Sequence, residues 1–186
     1  MLRWLIERKI RAFERDYDYD MTYAREILDA AGPRALMRFG RVQALGTYRA
    51  DVPRDAWFCA KVAAIAAEDC GPCTQLNVTM AERAGVPPEH LRAVIAGDDD
   101  ALPDDARLTV DFIRAAHARS PDVDALRDEV AARFGRSGVV ALTYALTAAR
   151  IYPTIKYALG YGHACTLVRV GDGQVRRAGA ATEAAA

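Results

Sequence analysis

Apolar positions recur along this chain almost everywhere at helical spacing. Leu2, Leu5, Ile6, Ile10 and Phe13 fall three or four residues apart, the mark of one buried helix face, and predict a helix over 2–15. A second is expected from Asp20 or Met21 to the stop signal Gly32-Pro33, and a third from there to about Gly46. "TYRADVP" reads as a loop. "RDAWFCAKVAAIAAED" is almost wholly Ala, Val, Ile and aromatic, so it predicts a helix covered on every side. Further helices are expected over 70–84, ending at Gly85, and in "VPPEHLRAVIAGD", entered through Pro87-Pro88 and closed at Gly97. "LPDDARLTVDFIRAAHAR" opens with acids that suit a helix N-terminus, and Leu108, Phe112 and Ile113 form its inner face. After the break at Ser120-Pro121-Asp122, "VDALRDEVAARFG" ends at Gly135, and two more helical stretches follow with Pro153 between or inside them.

The pattern changes only near the C-terminus. "CTLVRVGDGQVRR" has strand residues on both sides of Gly171-Asp172-Gly173, which predicts a small hairpin, and "AGAATEAAA" is expected to be disordered. No fixed-period repeat and no internal linker interrupts the chain. The expectation is an all-α, compact helical domain over 1–165 followed by a short tail over 166–186.

Composition narrows the function. Twenty-five basic and twenty-five acidic residues cancel, so no electrostatic case exists for nucleic acid or an anionic membrane surface. No apolar run reaches membrane-spanning length. Glu7, Arg8 and Lys9 interrupt what would be the apolar stretch of a signal peptide, and the expected location is the cytoplasm. In that compartment Cys59, Cys70, Cys73 and Cys165 are kept mostly reduced.

The chemistry concentrates in "EDCGPCTQLN". Pro72 suits a first helical turn, which places Cys70 at the helix mouth and Cys73 in the first turn. At about 100° per residue, with Cys73 as zero, Asn77 lies near +40° and Cys70 near +60°, so both thiols and an amide share one face. Thr74, Gln75 and Glu82 are expected to point away. A thiol at a helix N-terminus is acidified by the dipole, which supports a reactive pair. Two other readings stand beside it. Both cysteines can pack as small hydrophobes. Alternatively, His163 and Cys165 can complete a Cys₃His zinc site with the pair, at a spacing unusual for zinc. The same four letters occur in thioredoxins, but there the pair follows a strand, whereas here it follows an Ala-rich helix.

The long Ala-rich helix followed by "EDCGPCTQLNVTMAERAGVPPEHLRAVIAG" resembles the carboxymuconolactone decarboxylase-like superfamily, in particular its alkyl hydroperoxide reductase D-like branch, over about residues 34–165. The resemblance implies a helical trimer or hexamer and a dithiol peroxidase or disulfide reductase. Cys73 would be the attacking thiolate and Cys70 the resolving thiol, served by a carboxylate for which Glu68 is a candidate. It also implies a small-molecule peroxide or disulfide substrate, a thiol or dihydrolipoyl-type protein reductant, and no cofactor. The family motif carries His four residues after the second cysteine, where this chain has Asn77. Asn cannot relay a proton but can hydrogen-bond a thiolate. His163, in "YGHAC", is the replacement base if the C-terminal segment folds back. The missing His keeps a second reading open: a non-catalytic or redox-sensing oligomeric binding protein of the same fold. His90 and His117 read as surface or helix-end residues, and Tyr144, Tyr152 and Tyr157 as core or interface with a substrate pocket as the alternative. Cys59 reads as buried and inert.

Overall fold

The computed structural model describes residues 1–164 and 166–179. Among the described residues, eight α-helices, one 3₁₀ turn and one hairpin follow in chain order. The helices are α1 (Leu2–Tyr17), α2 (Thr22–Gly40), α3 (Val42–Leu45), α4 (Arg54–Ala66), α5 (Gly71–Arg83), α6 (Pro88–Ala96), α7 (Asp104–Ala118) and α8 (Val123–Ala158). The hairpin strands are β1 (Leu167–Val170) and β2 (Gly173–Arg176).

Helix α4 is the centre. It packs against α5, α6, α7 and α8, and this explains its nearly unbroken apolar composition: Ala56, Cys59, Ala60, Val62 and Ala64 are fully buried from several directions. A helix rich in Ala lets its neighbours approach closely, and the larger side chains Leu91, Ile95, Ile113 and Leu142 fill the space around it. A second, smaller cluster joins α1 and α2 through Ile10, Tyr19, Tyr23 and Ala24, with Phe13, Leu36 and Phe39 against them.

Two helices are broken where the sequence pattern places a stop. Gly32 lies at φ 80°, ψ 175° inside α2, and Gly135 at φ 73°, ψ 171° inside α8. Both conformations disfavour any residue with a Cβ, so each glycine turns the chain without ending the helical layer. Pro153 does not break α8; it lies buried within its C-terminal part. The third expected helix, 34–46, is divided at Arg41 into the end of α2 and the single turn α3.

The predicted hairpin is present. Val170 pairs with Gly173 across the two-residue turn Gly171-Asp172. It is not a loose appendage, for Val168 and Val170 are buried in the main core. Gln75 of α5 both donates to the Arg169 carbonyl at 3.0 Å and accepts from the Arg169 N–H at 2.9 Å, and Glu82 accepts from the Gly171 N–H at 2.6 Å. The back of α5, where Gln75 and Glu82 point away from the thiols as expected, is therefore covered by the hairpin. The expected disorder of "AGAATEAAA" falls largely on 180–186, outside the described residues, and Ala178 donates its N–H to Ile95 at 2.8 Å. Among the described residues, no helix is long and apolar enough to cross a membrane.

Candidate functional site

Cys70 is the N-cap of α5, with extended backbone at φ −111°, ψ 100°, and Cys73 is the third residue of the helix, with Pro72 between them in the first turn. The Cα atoms are 5.3 Å apart and the two sulfurs are at bonding distance, the geometry of a C-x-x-C disulfide at a helix mouth. Ile65 of α4 and Tyr152 and Ala149 of α8 pack around the pair. Both cysteines are buried, at 1 % and 2 % exposure, so a reagent reaches them only through a cavity or by movement of what covers them.

The cover is the C-terminal segment. Gly71 donates its N–H to the His163 carbonyl at 2.9 Å, and the Tyr157 hydroxyl donates to the Asp69 carbonyl at 2.7 Å. Arg177 donates to the Ala66 carbonyl at 3.0 Å and pairs with the Asp69 carboxylate. The fold-back that would bring His163 over the cysteines thus exists, but it works through the backbone, and the imidazole is exposed.

The other expected site residues are placed as follows. Asn77 lies on the face of α5 that carries Cys73, and its amide donates to the Cys73 carbonyl at 3.0 Å. Glu68 is held by two side chains: its Oε1 is 2.8 Å from His117 Nε2 and 3.0 Å from Arg150 Nε. His90 pairs with Asp55 at 2.7 Å. Cys59 donates to the same Asp55 at 3.6 Å, and burial together with that carboxylate pushes its thiol far above the usual range, which makes it inert. Thr74, expected to point outward, is fully buried and donates to the Cys70 carbonyl at 2.9 Å. Cys165 lies outside the described residues. No group of three or more His, Cys, Asp or Glu able to hold a metal occurs among the described residues.

A cavity of about 350 Å³ opens onto the pair from the side of α1 and α2, and Cys73 is part of its wall. The rest of the wall is mostly apolar, including Ile6, Phe13, Leu36, Phe39 and Ile65. At the Cys73 end stands a polar group that sequence spacing does not reveal. The Tyr19 hydroxyl is 3.9 Å from Cys73 Sγ, and Lys156 Nζ is 3.3 Å from the same hydroxyl. An ammonium only donates, so the Tyr19 oxygen accepts from Lys156; the same hydroxyl also hydrogen-bonds Tyr23, and of its neighbours the bonded sulfur is one that can only accept the Tyr19 proton. Burial pushes the Tyr19 phenol well above the usual range and keeps it protonated. Lys156, 3 % exposed, lies 4.9 Å from the Tyr19 ring centre and 5.4 Å from that of Tyr23. Burial lowers its pKa, and the Asp20 charge acts against that. The arrangement can deliver positive charge and a proton to a sulfur anion at Cys73 across a water-poor interface. Tyr19 lies in a connecting turn 54 residues before Cys73, so only the fold brings them together.

No family model, no curated protein and no solved structure matches the chain.

Proposed function

We propose that the protein is a dithiol peroxidase of the alkyl hydroperoxide reductase D-like type, with Cys73 attacking and Cys70 resolving. The observation that carries this reading is the position of the pair: a bonded C-x-x-C at a helix N-terminus, with Cys73 in the wall of an apolar cavity. A thiolate there is favoured by the helix dipole and by the Lys156–Tyr19 hydrogen bond.

The Cys73 thiolate attacks one oxygen of a hydroperoxide and the O–O bond breaks. The leaving alkoxide takes a proton, for which Tyr19 is the nearest donor, with Lys156 behind it. Cys73 is left as a sulfenic acid. The Cys70 thiolate then displaces hydroxide from that sulfur, and the hydroxide leaves as water with the proton Cys70 gave up. Peroxide becomes alcohol and water while two thiols become a disulfide. A dithiol reductant restores the pair by exchange. Since both sulfurs are buried, a thiol carried on a slender arm suits them better than one fixed on a broad protein surface.

The same reading carries a homo-oligomer, a trimer or hexamer. The apolar stretch 57–67 is used inside the chain, but Val140, Tyr144 and Tyr48, whose ring lies tilted 5.9 Å from that of Tyr144, remain exposed. A face of α8 is therefore available to a second copy.

The test is consumption of cumene hydroperoxide by the pre-reduced protein, followed by mass mapping. The expected result is loss of peroxide together with loss of two hydrogens from the peptide holding Cys70 and Cys73, while Cys59 stays a free thiol. Oxidation that bridges to Cys59 or Cys165, or a wild type that leaves peroxide untouched, counts against the reading. The second of these results favours a binding protein that has kept the fold.

A further inference from the structure

The wall of the cavity beside Cys73 also carries a cation on α4, apart from Tyr19. Lys61 of α4 is part of its wall, together with Gln43, Gly46 and Thr47. Its ammonium donates to the Gly46 carbonyl at 3.0 Å and lies 4.4 Å from the Trp57 ring centre and 5.7 Å from that of Phe58. An ammonium has three donors. One carbonyl and two ring faces receive it, and no carboxylate pairs with it among the described residues. Lys61 is half-buried, and a cation drawn out of water without an anion is costly unless something supplies one.

The two ends of the cavity differ accordingly. Lys61 and Ile65 are one helical turn apart on α4, roughly 6 Å along its axis, and Ile65 packs against the cysteines. Between the polar end at Lys61 and the sulfur at Cys73 the wall is apolar, with Phe39, Leu36 and Tyr152. A molecule that fills this space needs a negative head, an apolar body and its reacting group at the far side. Pockets of this size suit small organic ligands.

We infer that the cavity binds apolar carboxylic acids, with the carboxylate on Lys61 and the hydrocarbon body along Phe39 and Ile65, and that the reducible substrate is the hydroperoxide of such an acid. The substrate class rests on the dithiol reading; the carboxylate site does not. In the reducible case the step is the one given above: the Cys73 sulfur takes the terminal oxygen, the acid is released as its hydroxy derivative, and a dithiol returns the two electrons. Burial lowers the Lys61 pKa to about 8, so the ammonium is mostly charged at neutral pH and is lost in mild alkali, where a carboxylate stays ionised. The other titratable residues of the wall are Lys9, Tyr19, Tyr23, Tyr152 and Cys73. Burial keeps the three phenols neutral through this range, and Cys73 does not titrate while it is in the disulfide. Lys9 is exposed at the cavity rim, so the variant control below is run at both pH values.

The test is calorimetric titration of the oxidised protein with monomeric decanoate and with 1-decanol, at pH 7 and pH 9.5, in wild type, Lys61→Met and Lys61→Gln. The expected result at pH 7 is wild-type binding of decanoate about tenfold or more tighter than decanol, the worth of one charge-assisted hydrogen bond. That preference shrinks at pH 9.5 and disappears in either variant at both pH values. If the variants fail to fold, the pH comparison on wild type carries the test. Equal affinity for acid and alcohol, binding of neither, or a preference that survives in folded Lys61→Met overturns the proposal. Repeating the titration with Cys73→Ala separates it from the dithiol reading. Carboxylate selectivity in Cys73→Ala together with no peroxide turnover by wild type supports this site and sinks the peroxidase, whereas wild-type turnover of cumene hydroperoxide without carboxylate selectivity overturns this site alone.

Discussion

Replacing Tyr19 by Phe removes one oxygen and leaves the ring, so it isolates what the hydroxyl does for Cys73. A hydrogen bond to a charged group contributes about 1.5–3 kcal/mol. At 3.9 Å the oxygen–sulfur contact is long even for sulfur, which places it at the lower end, about 1.5 kcal/mol. That is about one pKa unit. Tyr19→Phe should therefore raise the Cys73 thiol pKa by about one unit and cut its thiolate fraction at neutral pH by about tenfold. The sign follows from which form is served: the phenol donates to the anion, so its loss favours the thiol. The assay is the pH dependence of Cys73 alkylation by iodoacetamide in a Cys70→Ser background, where Cys73 cannot close its disulfide. Lys156→Met should shift the midpoint in the same direction. The double variant should shift it by less than the sum, because Lys156 acts partly through the Tyr19 oxygen. An unchanged midpoint in Tyr19→Phe, in a variant that keeps the wild-type circular dichroism, would refute the relay. So would full additivity of the two changes.

Asn77→Ala should leave the Cys73 midpoint nearly where it is, because the Asn77 amide is engaged with a carbonyl rather than with the sulfur; a shift as large as that of Tyr19→Phe in the same alkylation assay would show that Asn77 serves the thiolate after all. Light scattering at micromolar concentration should find an oligomer for wild type and smaller species for Val140→Asp with Tyr144→Asp, both of which are exposed in the single chain. A wild-type monomer would remove the homo-oligomer.

The helical layout was legible because it follows local rules. Period and punctuation place α1, the break at Gly32, the buried α4 and the Gly97 end of α6 within a few residues. The mouth of α5 was legible for the same reason: C-G-P-C carries its own helix start. What the sequence concealed is contact between distant segments. Tyr19 and Lys156 look like ordinary core and helix-end residues until α1, α5 and α8 are brought together. Lys61 reads as a single charge in an apolar helix, and only the cavity gives it an address. Helical angles place Gln75 and Glu82 on a polar face of α5, away from the thiols, but do not say what covers it. That face meets the backbone of a hairpin nearly a hundred residues later, a partner with no apolar signature. His163 shows the opposite limit: its segment arrives where a base would be needed, but the fold uses its carbonyl.

The ties across the chain have a consequence during synthesis. Tyr19 and Lys156 are 137 residues apart, and the Gly71–His163 bond that closes the helix mouth needs a residue later still. At 5–20 residues per second, a ribosome takes roughly 7 to 27 s between making the two ends of the relay. For the last 83 residues of that interval, roughly 4 to 17 s at the same rate, the nascent chain carries Cys70 and Cys73 without their cation and without their cover. The thiols then resemble those of a free peptide, with a higher pKa and open access. The growing polypeptide thus holds less thiolate but is open to mixed disulfides with neighbouring thiols. The finished protein reverses both properties at once, when its last helix and hairpin close over the mouth of α5.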